Sequence, residues 1–367
     1  MRGALLEASA VPVAVVDDLQ IEDPRPGEVR VRVSHCGVCH SDLGIVDGTF
    51  PAFGPTVLGH EAAGVVEAVG AGVDGLAPGD KVVLTPVAAC EECYWCLRGE
   101  YGCCVNAASV TTGTMVDGST PLSRNGAPVL RGLGVGGFAE QVVTLASGAV
   151  KVPADTPLEI ACVIGCAVQT GVGAVLNTAR VEPGATVLVV GAGGVGIAIT
   201  QGARVAGAAR VIVSDPSAER REAARRFGAT DVVDPTDDDV TARAFGLTNG
   251  TGVDYAFEAV GSGPLIQQCI ASTRNGGTTV MVGAAPVDHS VELNPAVVHM
   301  ITERKLMGSF LGSCHSRRDI PRLLDLWRAG RIDLEGMITS RRPLADINDA
   351  FADMHAARGI RTVIELS

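Results

Sequence analysis

At 367 residues the chain is too long for one ordinary core and suits two domains. Hydrophobic residues make up 47%, ample for burial, yet no apolar run is long and clean enough to cross a bilayer. A formal net charge of −12 excludes a general attraction to nucleic acid or an anionic membrane, so an anionic ligand must be held by local groups.

The opening stretch Met1–Ala10 carries Glu7 and only a short apolar run. It does not read as a signal peptide, and the expectation is a cytoplasmic protein. From there to about Val150 the pattern is one of short β segments: Glu28–Ser34, Ala63–Val69, Lys81–Leu84 and Phe138–Thr144. Turn residues such as Pro26-Gly27 and Pro78-Gly79-Asp80 bound them, and no helical period is sustained. From about Glu182 the period changes. Apolar runs at Thr186–Val190, Arg210–Val213, Tyr255–Val260 and Thr278–Val282 alternate with helical stretches such as Gly194–Ala206 and Ala218–Phe227. That alternation predicts a parallel sheet wrapped by helices. Lys305–Leu311 reads as its last strand, Arg317–Ala329 as an amphipathic helix, then Asp346–Ala356 and a closing strand Thr362–Leu366.

The turn Gly191-Ala192-Gly193-Gly194-Val195-Gly196 follows a strand, opens a helix, and is followed by Asp215 at the end of the next strand. This is the full context of a dinucleotide fingerprint. Gly191 allows the tight turn, Gly193 admits the pyrophosphate, Gly196 lets helix and strand pack, and exposed N–H groups bind phosphate. A carboxylate at Asp215 accepts the ribose hydroxyls of NAD and repels a 2′-phosphate. Pro216 and Ser217 bring no adjacent cation, while Arg220 stands within reach of the ribose edge. NAD is therefore the expected cofactor.

Eleven cysteines without an export signal suggest metal rather than a disulfide framework, because they cluster. Cys90-x2-Cys93-x2-Cys96-x7-Cys104 can close a tetrahedral zinc shell with no open position, a structural site. Cys103 competes with Cys104 for the fourth place, and spacing alone leaves that choice open. A second set is dispersed: Cys39 in Gly37-Val38-Cys39-His40-Ser41-Asp42, His60 in Gly59-His60-Glu61, and Cys166 in Gly165-Cys166-Ala167. No local spacing rule joins these three.

Taken together, these motifs, with Ile360-Arg361-Thr362 near the C-terminus, resemble the zinc-containing alcohol dehydrogenases of the medium-chain dehydrogenase/reductase superfamily almost end to end. The resemblance implies an α/β architecture: a GroES-like β-rich catalytic domain, 1–167 and 311–367, with a structural zinc lobe at about 90–104. A Rossmann domain, 168–310, with a doubly wound parallel sheet, would be inserted between its halves. It further implies two zinc ions per chain and NAD, with the active site in a cleft. Cys39, His60 and Cys166 would ligate a catalytic zinc whose fourth position takes water or alcohol. Asp42 would orient His60, and Glu61 would sit beside the metal without being its resting ligand. Ser41 matches the hydroxyl that accepts the alcohol proton. The histidine that completes this relay in many relatives is Gly44 here, so the relay is shortened and its last step is open. His40 and Arg361 match pyrophosphate contacts.

The substrate pocket of relatives maps near Phe50, Pro86, Ser109 and Leu133, where Pro86 and the neighbouring Gly132 are small. A wider pocket favours benzylic, allylic or longer primary alcohols over ethanol. A thiol-adduct formaldehyde dehydrogenase is the other enzyme reading. Phe50 and Ala108-Ser109 lack the charges a glutathione adduct needs, while Arg124 and Arg131 could serve a mycothiol-type adduct. A non-catalytic NAD- or zinc-binding protein is the reading from another class, and it is disfavoured because every metal ligand is kept. A homodimer through Lys305–Leu311 is expected, with the insert Val105–Arg131 weighing against a tetramer.

Overall fold

The computed structural model describes Met1–Leu366. The chain divides into two compact units, one of Met1–Ala167, His315–Asp325 and Leu334–Ser367, the other of Val168–Cys314 and Leu326–Asp333.

The first unit is built on two sheets. One runs in the spatial order Ala14–Val16, Gly3–Leu6, Thr56–Val57, Ala127–Arg131, Leu122–Arg124, Leu19–Ile21. The other runs Ala149–Lys151, Lys81–Leu84, Glu61–Val69, Glu28–Gly37, Arg361–Glu365, Ile338–Pro343, with Gln141–Leu145 also paired to Glu28–Gly37. The central strand Glu28–Gly37 alternates valines at 29, 31 and 33 with arginines at 30 and 32, so the valines are buried and the arginines look outward. Its register places Gly37 opposite Glu61 and Val363, which draws residues far apart in sequence to one sheet end.

The second unit carries one all-parallel sheet in the order Asp231–Val233, Arg210–Ser214, Thr186–Val190, Val253–Glu258, Thr273–Met281, Lys305–Gly308. This is the doubly wound arrangement, with strand order reversing beside Thr186–Val190. The central strands are continuous apolar runs, as burial on both faces requires. Among the described residues no single helix is long and apolar enough to cross a membrane.

Several expectations need correction. Phe138–Thr144 is displaced: Phe138 and Ala139 are fully buried, but the ladder runs over Gln141–Leu145. Lys305–Leu311 is too long, because the strand ends at Gly308 and Leu311 takes a left-handed turn at φ 49°. The return crossing lies at 314/315, not at 310/311. Cys314 stays with the second unit through Gln169 O at 3.3 Å and Asn177 Nδ2 at 3.4 Å. Leu326–Asp333 also joins that unit, where the side chain of Gln201 bonds both N and O of Asp333.

Candidate active site and cofactor site

The register of the second sheet assembles the dispersed ligands. Cys39 caps the helix His40–Val46 that follows Glu28–Gly37, His60 immediately precedes the strand Glu61–Val69, and Cys166 follows a turn packed on the same sheet end. One ligand atom from each of Cys39, His60, Glu61 and Cys166 lies within 4.8 Å of the others. Cys39, His60 and Glu61 are buried and Cys166 is half-buried. Neither Glu61 oxygen accepts a hydrogen bond, although Arg361 Nη1 stands 3.3 Å from Oε1. A buried carboxylate with unsatisfied oxygens beside two thiols and an imidazole is a donor set suited to zinc.

Asp42 has no solvent exposure and spends its carboxylate on the site's geometry. It accepts hydrogen bonds from Gly59 N at 2.9 Å and Cys39 N at 3.3 Å, and meets His60 Nδ1 at 3.2 Å. That contact leaves Nε2 as the ligating nitrogen and fixes the ring. Burial opposes a charge on His60, but Asp42 and then Cys39 pull its pKa well above the usual imidazole value. Cys39 is held well below the ordinary thiol range, first by a hydrogen bond from Cys166 and then by the charges of His60 and Arg361. Burial pushes Glu61 up to about 8, against the pull of Arg361. Gly37 makes room for this carboxylate, since a Cβ there would meet Glu61 Oε2 at 2.3 Å. Ser41 Oγ lies 4.0 Å from Cys39 Sγ.

Arg361, matched above to a pyrophosphate contact, lies beside the metal-ligand cluster. Its side chain is 4% exposed, donates to Val38 O at 2.7 Å and faces Glu61. The register is the reason: Val363 and Glu61 both stand opposite Gly37 of the strand Glu28–Gly37. His40, by contrast, is exposed at the start of its helix.

The cysteine lobe settles the choice of fourth ligand. Cys90, Cys93, Cys96 and Cys104 cluster, whereas Cys103 is exposed. Cys90 Sγ lies 3.6 Å from Cys104 Sγ and 4.0 Å from Cys96 Sγ. Four sulfurs at the zinc–thiolate distance stand about 3.8 Å apart, so the spacing fits. Backbone N–H groups of Cys90, Cys93 and Asn106 point at these sulfurs. The sequence reading missed how the lobe is anchored. His315 Nε2 meets Glu91 Oε1 at 2.9 Å and its ring stacks on Tyr101 at 4.1 Å, while Arg317 reaches the same carboxylate. Nothing in the sequence links positions 91 and 315; only the fold does.

In the second unit Gly191 has φ 97°, and a Cβ on Gly196 would strike Gly191 O at 1.8 Å. A Cβ on Gly193 would meet nothing, which leaves an open cradle at the start of Gly194–Val205. Asp215 is buried, with Oδ2 accepting from Ala192 N and Oδ1 from Ser217 N, each at 2.8 Å. The carboxylate thus bridges the glycine turn and the turn that follows its own strand. Val195 is half-buried, and Arg220 N caps onto Ser217 Oγ at 3.3 Å.

Residues 25–154 match the model of the alcohol dehydrogenase GroES-like domain, and residues 194–329 match that of the zinc-binding dehydrogenase domain. The chain is 38% identical to S-(hydroxymethyl)glutathione dehydrogenase from Escherichia coli O157:H7, over 99% of both proteins. It belongs to the zinc-containing alcohol dehydrogenases of the medium-chain superfamily. Among solved structures of this family, the alcohol dehydrogenase zinc-binding domain protein of Burkholderia ambifaria superposes with a TM-score of 0.94 at 34% identity, covering 100% of this chain and 98% of that one. Benzyl alcohol dehydrogenase from Acinetobacter calcoaceticus gives 0.94 at 28%, covering 100% and 99%. As a zinc-containing alcohol dehydrogenase the chain takes two zinc ions, one in each cluster, and NAD on the Rossmann unit.

Proposed function

We propose that the chain interconverts primary alcohols bearing an aromatic, allylic or longer-chain group with their aldehydes, using NAD as the hydride carrier. The observation that carries this reading is the convergence of Cys39, His60, Cys166 and Glu61 donor atoms within 4.8 Å, with the Ser41 hydroxyl beside them. Bound zinc supplies Lewis-acid polarisation of the alcohol oxygen. Ser41 takes the alcohol proton, Asp42 keeps His60 in one tautomer and orientation, and Glu61 stays next to the ligands as the carboxylate that faces Arg361. The cradle Gly191, Gly193, Gly194, Val195 and Gly196 receives the pyrophosphate, with His40 a further contact. Asp215 reads the ribose diol with Arg220 at its edge. Arg361, beside Glu61, is the second pyrophosphate contact of this reading.

Pro86 supports the wider pocket. Gly132 no longer does, because a Cβ there would meet Leu58 Cδ2 at 2.7 Å; its small size answers to that packing. The test is metal analysis followed by NAD reduction on one sample. Two zinc ions and a higher kcat/KM for benzyl alcohol than for ethanol sustain the reading; preference for ethanol sinks the substrate class.

The thiol-adduct alternative is favoured by the full-length similarity to S-(hydroxymethyl)glutathione dehydrogenases. The arginines once available to it are engaged. Arg131 is buried on the carbonyls of Gly134, Val143 and Thr114, and Arg124 pairs with Asp18 and Glu7. Formaldehyde oxidation that appears only when glutathione or mycothiol is added decides for it.

The assembly we propose is a homodimer through the edge strand Lys305–Gly308, beside which Val297, Met300 and Ile301 are exposed.

A further inference from the structure

The turn after Asp215 is held from beneath by a cation. Arg221 Nη1 donates to Asp215 O at 2.7 Å and to Pro216 O at 2.8 Å, and its Nη2 meets Asp234 Oδ2 at 2.6 Å. Both side chains are largely buried, at 15% and 22% exposure. Asp234 belongs to the turn after the neighbouring strand Asp231–Val233, and its other oxygen caps that turn through Thr236 N at 3.0 Å and Thr236 Oγ1 at 2.6 Å. One guanidinium therefore joins two adjacent turns at the carboxyl ends of the sheet, where a doubly wound fold binds its nucleotide.

In the sequence, positions 216 and 217 bring no cation to the ribose and Arg220 is the one within reach of its edge. The structure adds a second cation at that turn, Arg221, with a carboxylate that takes up its charge. We infer that Asp234 is a determinant of cofactor selectivity: by holding Arg221 on the backbone of 215 and 216, it keeps that guanidinium from a 2′-phosphate and fixes Asp215 toward the glycine turn. This rests on Asp215 as the ribose reader. A guanidinium released from Asp234 is a planar cation suited to a phosphate. The pair is a negative element against the phosphorylated cofactor, acting through charge already spent.

Asp234→Asn tests this with little disturbance, since an amide oxygen still caps Thr236 while the amide nitrogen faces Arg221 without charge. Binding of 2′,5′-ADP and of 5′-ADP to the zinc-loaded protein is measured by calorimetry for wild type, D234N and D234N/R221L. Expected is about tenfold tighter 2′,5′-ADP binding in D234N, with 5′-ADP changed little. Adding Arg221→Leu abolishes that gain, and the NADP/NAD ratio of kcat/KM follows the binding. Unchanged 2′,5′-ADP affinity in D234N, or a gain that survives R221L, overturns the inference. A wild-type protein that itself prefers 2′,5′-ADP defeats the Asp215 reading instead, whatever the variants do.

Discussion

Phe50 explains why position 44 carries no side chain. A Cβ on Gly44 would lie 2.7 and 2.8 Å from two carbons of the Phe50 ring, and Phe50 N bonds Gly44 O at 2.7 Å, which holds the Phe50 backbone at this turn. Gly44→His therefore meets a filled space and costs about 1–3 kcal/mol by overpacking. The expected outcome is a lower thermal midpoint of the zinc-loaded protein and no gain in turnover. The double variant Gly44→His/Phe50→Ala regains the midpoint. A single variant as stable as wild type shows that the ring moves aside. His35 gives the pH counterpart. Burial lowers its pKa below 6.5, with Glu159 and Glu365 only partly offsetting it. The folded protein then binds fewer protons than the unfolded chain, so stability is present above 6.5 and drains as pH falls through that value. His35→Gln flattens denaturant midpoints between about pH 7 and 5; an unaltered slope assigns the acid loss elsewhere.

At the level of elements, the cysteine lobe predicts a sharp asymmetry between neighbouring thiols. Cys104→Ser leaves three thiolates, and metal analysis finds one zinc per chain, while Cys103→Ser retains two. Equal losses from both variants contradict the ligand set. What was legible in the sequence follows the same division between local and distant signals. Local ones gave the glycine turn and the cysteine spacing, and strong apolar runs gave Thr186–Val190 and Lys81–Leu84 at their observed bounds. Gly3–Leu6 and Ala127–Arg131 escaped because neither alternates: all of GALL is buried, and Pro128 interrupts the other. The three dispersed ligands needed a family resemblance, since only strand register brings Cys39, His60 and Cys166 together. The meeting of Arg361 with Glu61 was hidden for the same reason. The arginine side chain reaches Val38 O and Glu61 because the register sets both Val363 and Glu61 opposite Gly37, which no short window of sequence reveals.

For the whole molecule, the decisive surface is the open edge of the parallel sheet. Lys305–Gly308 pairs on one side with Thr273–Met281 and, among the described residues, with nothing on the other. An unpaired edge is a template for another strand, and it carries no proline and no bulge to prevent this. The preceding helix Ala296–Ile301 has no buried residue and exposes Met300 at 68% and Ile301 at 67%. In the proposed dimer a two-fold axis across this edge would extend the sheet and cover that helix in the same step, a self-complementary and closed contact. Charge does not assist the pairing, since each copy brings a net −12, so apolar burial has to drive it and added salt does not weaken it. Ile301→Asp places a carboxylate in the covered face. The expected result by sedimentation is a change from dimer mass to monomer mass at micromolar concentration. Alongside it, the thermal midpoint of wild type rises with protein concentration and that of the variant does not. A variant that keeps the wild-type mass removes this edge as the interface, and a wild type of monomer mass removes the dimer altogether.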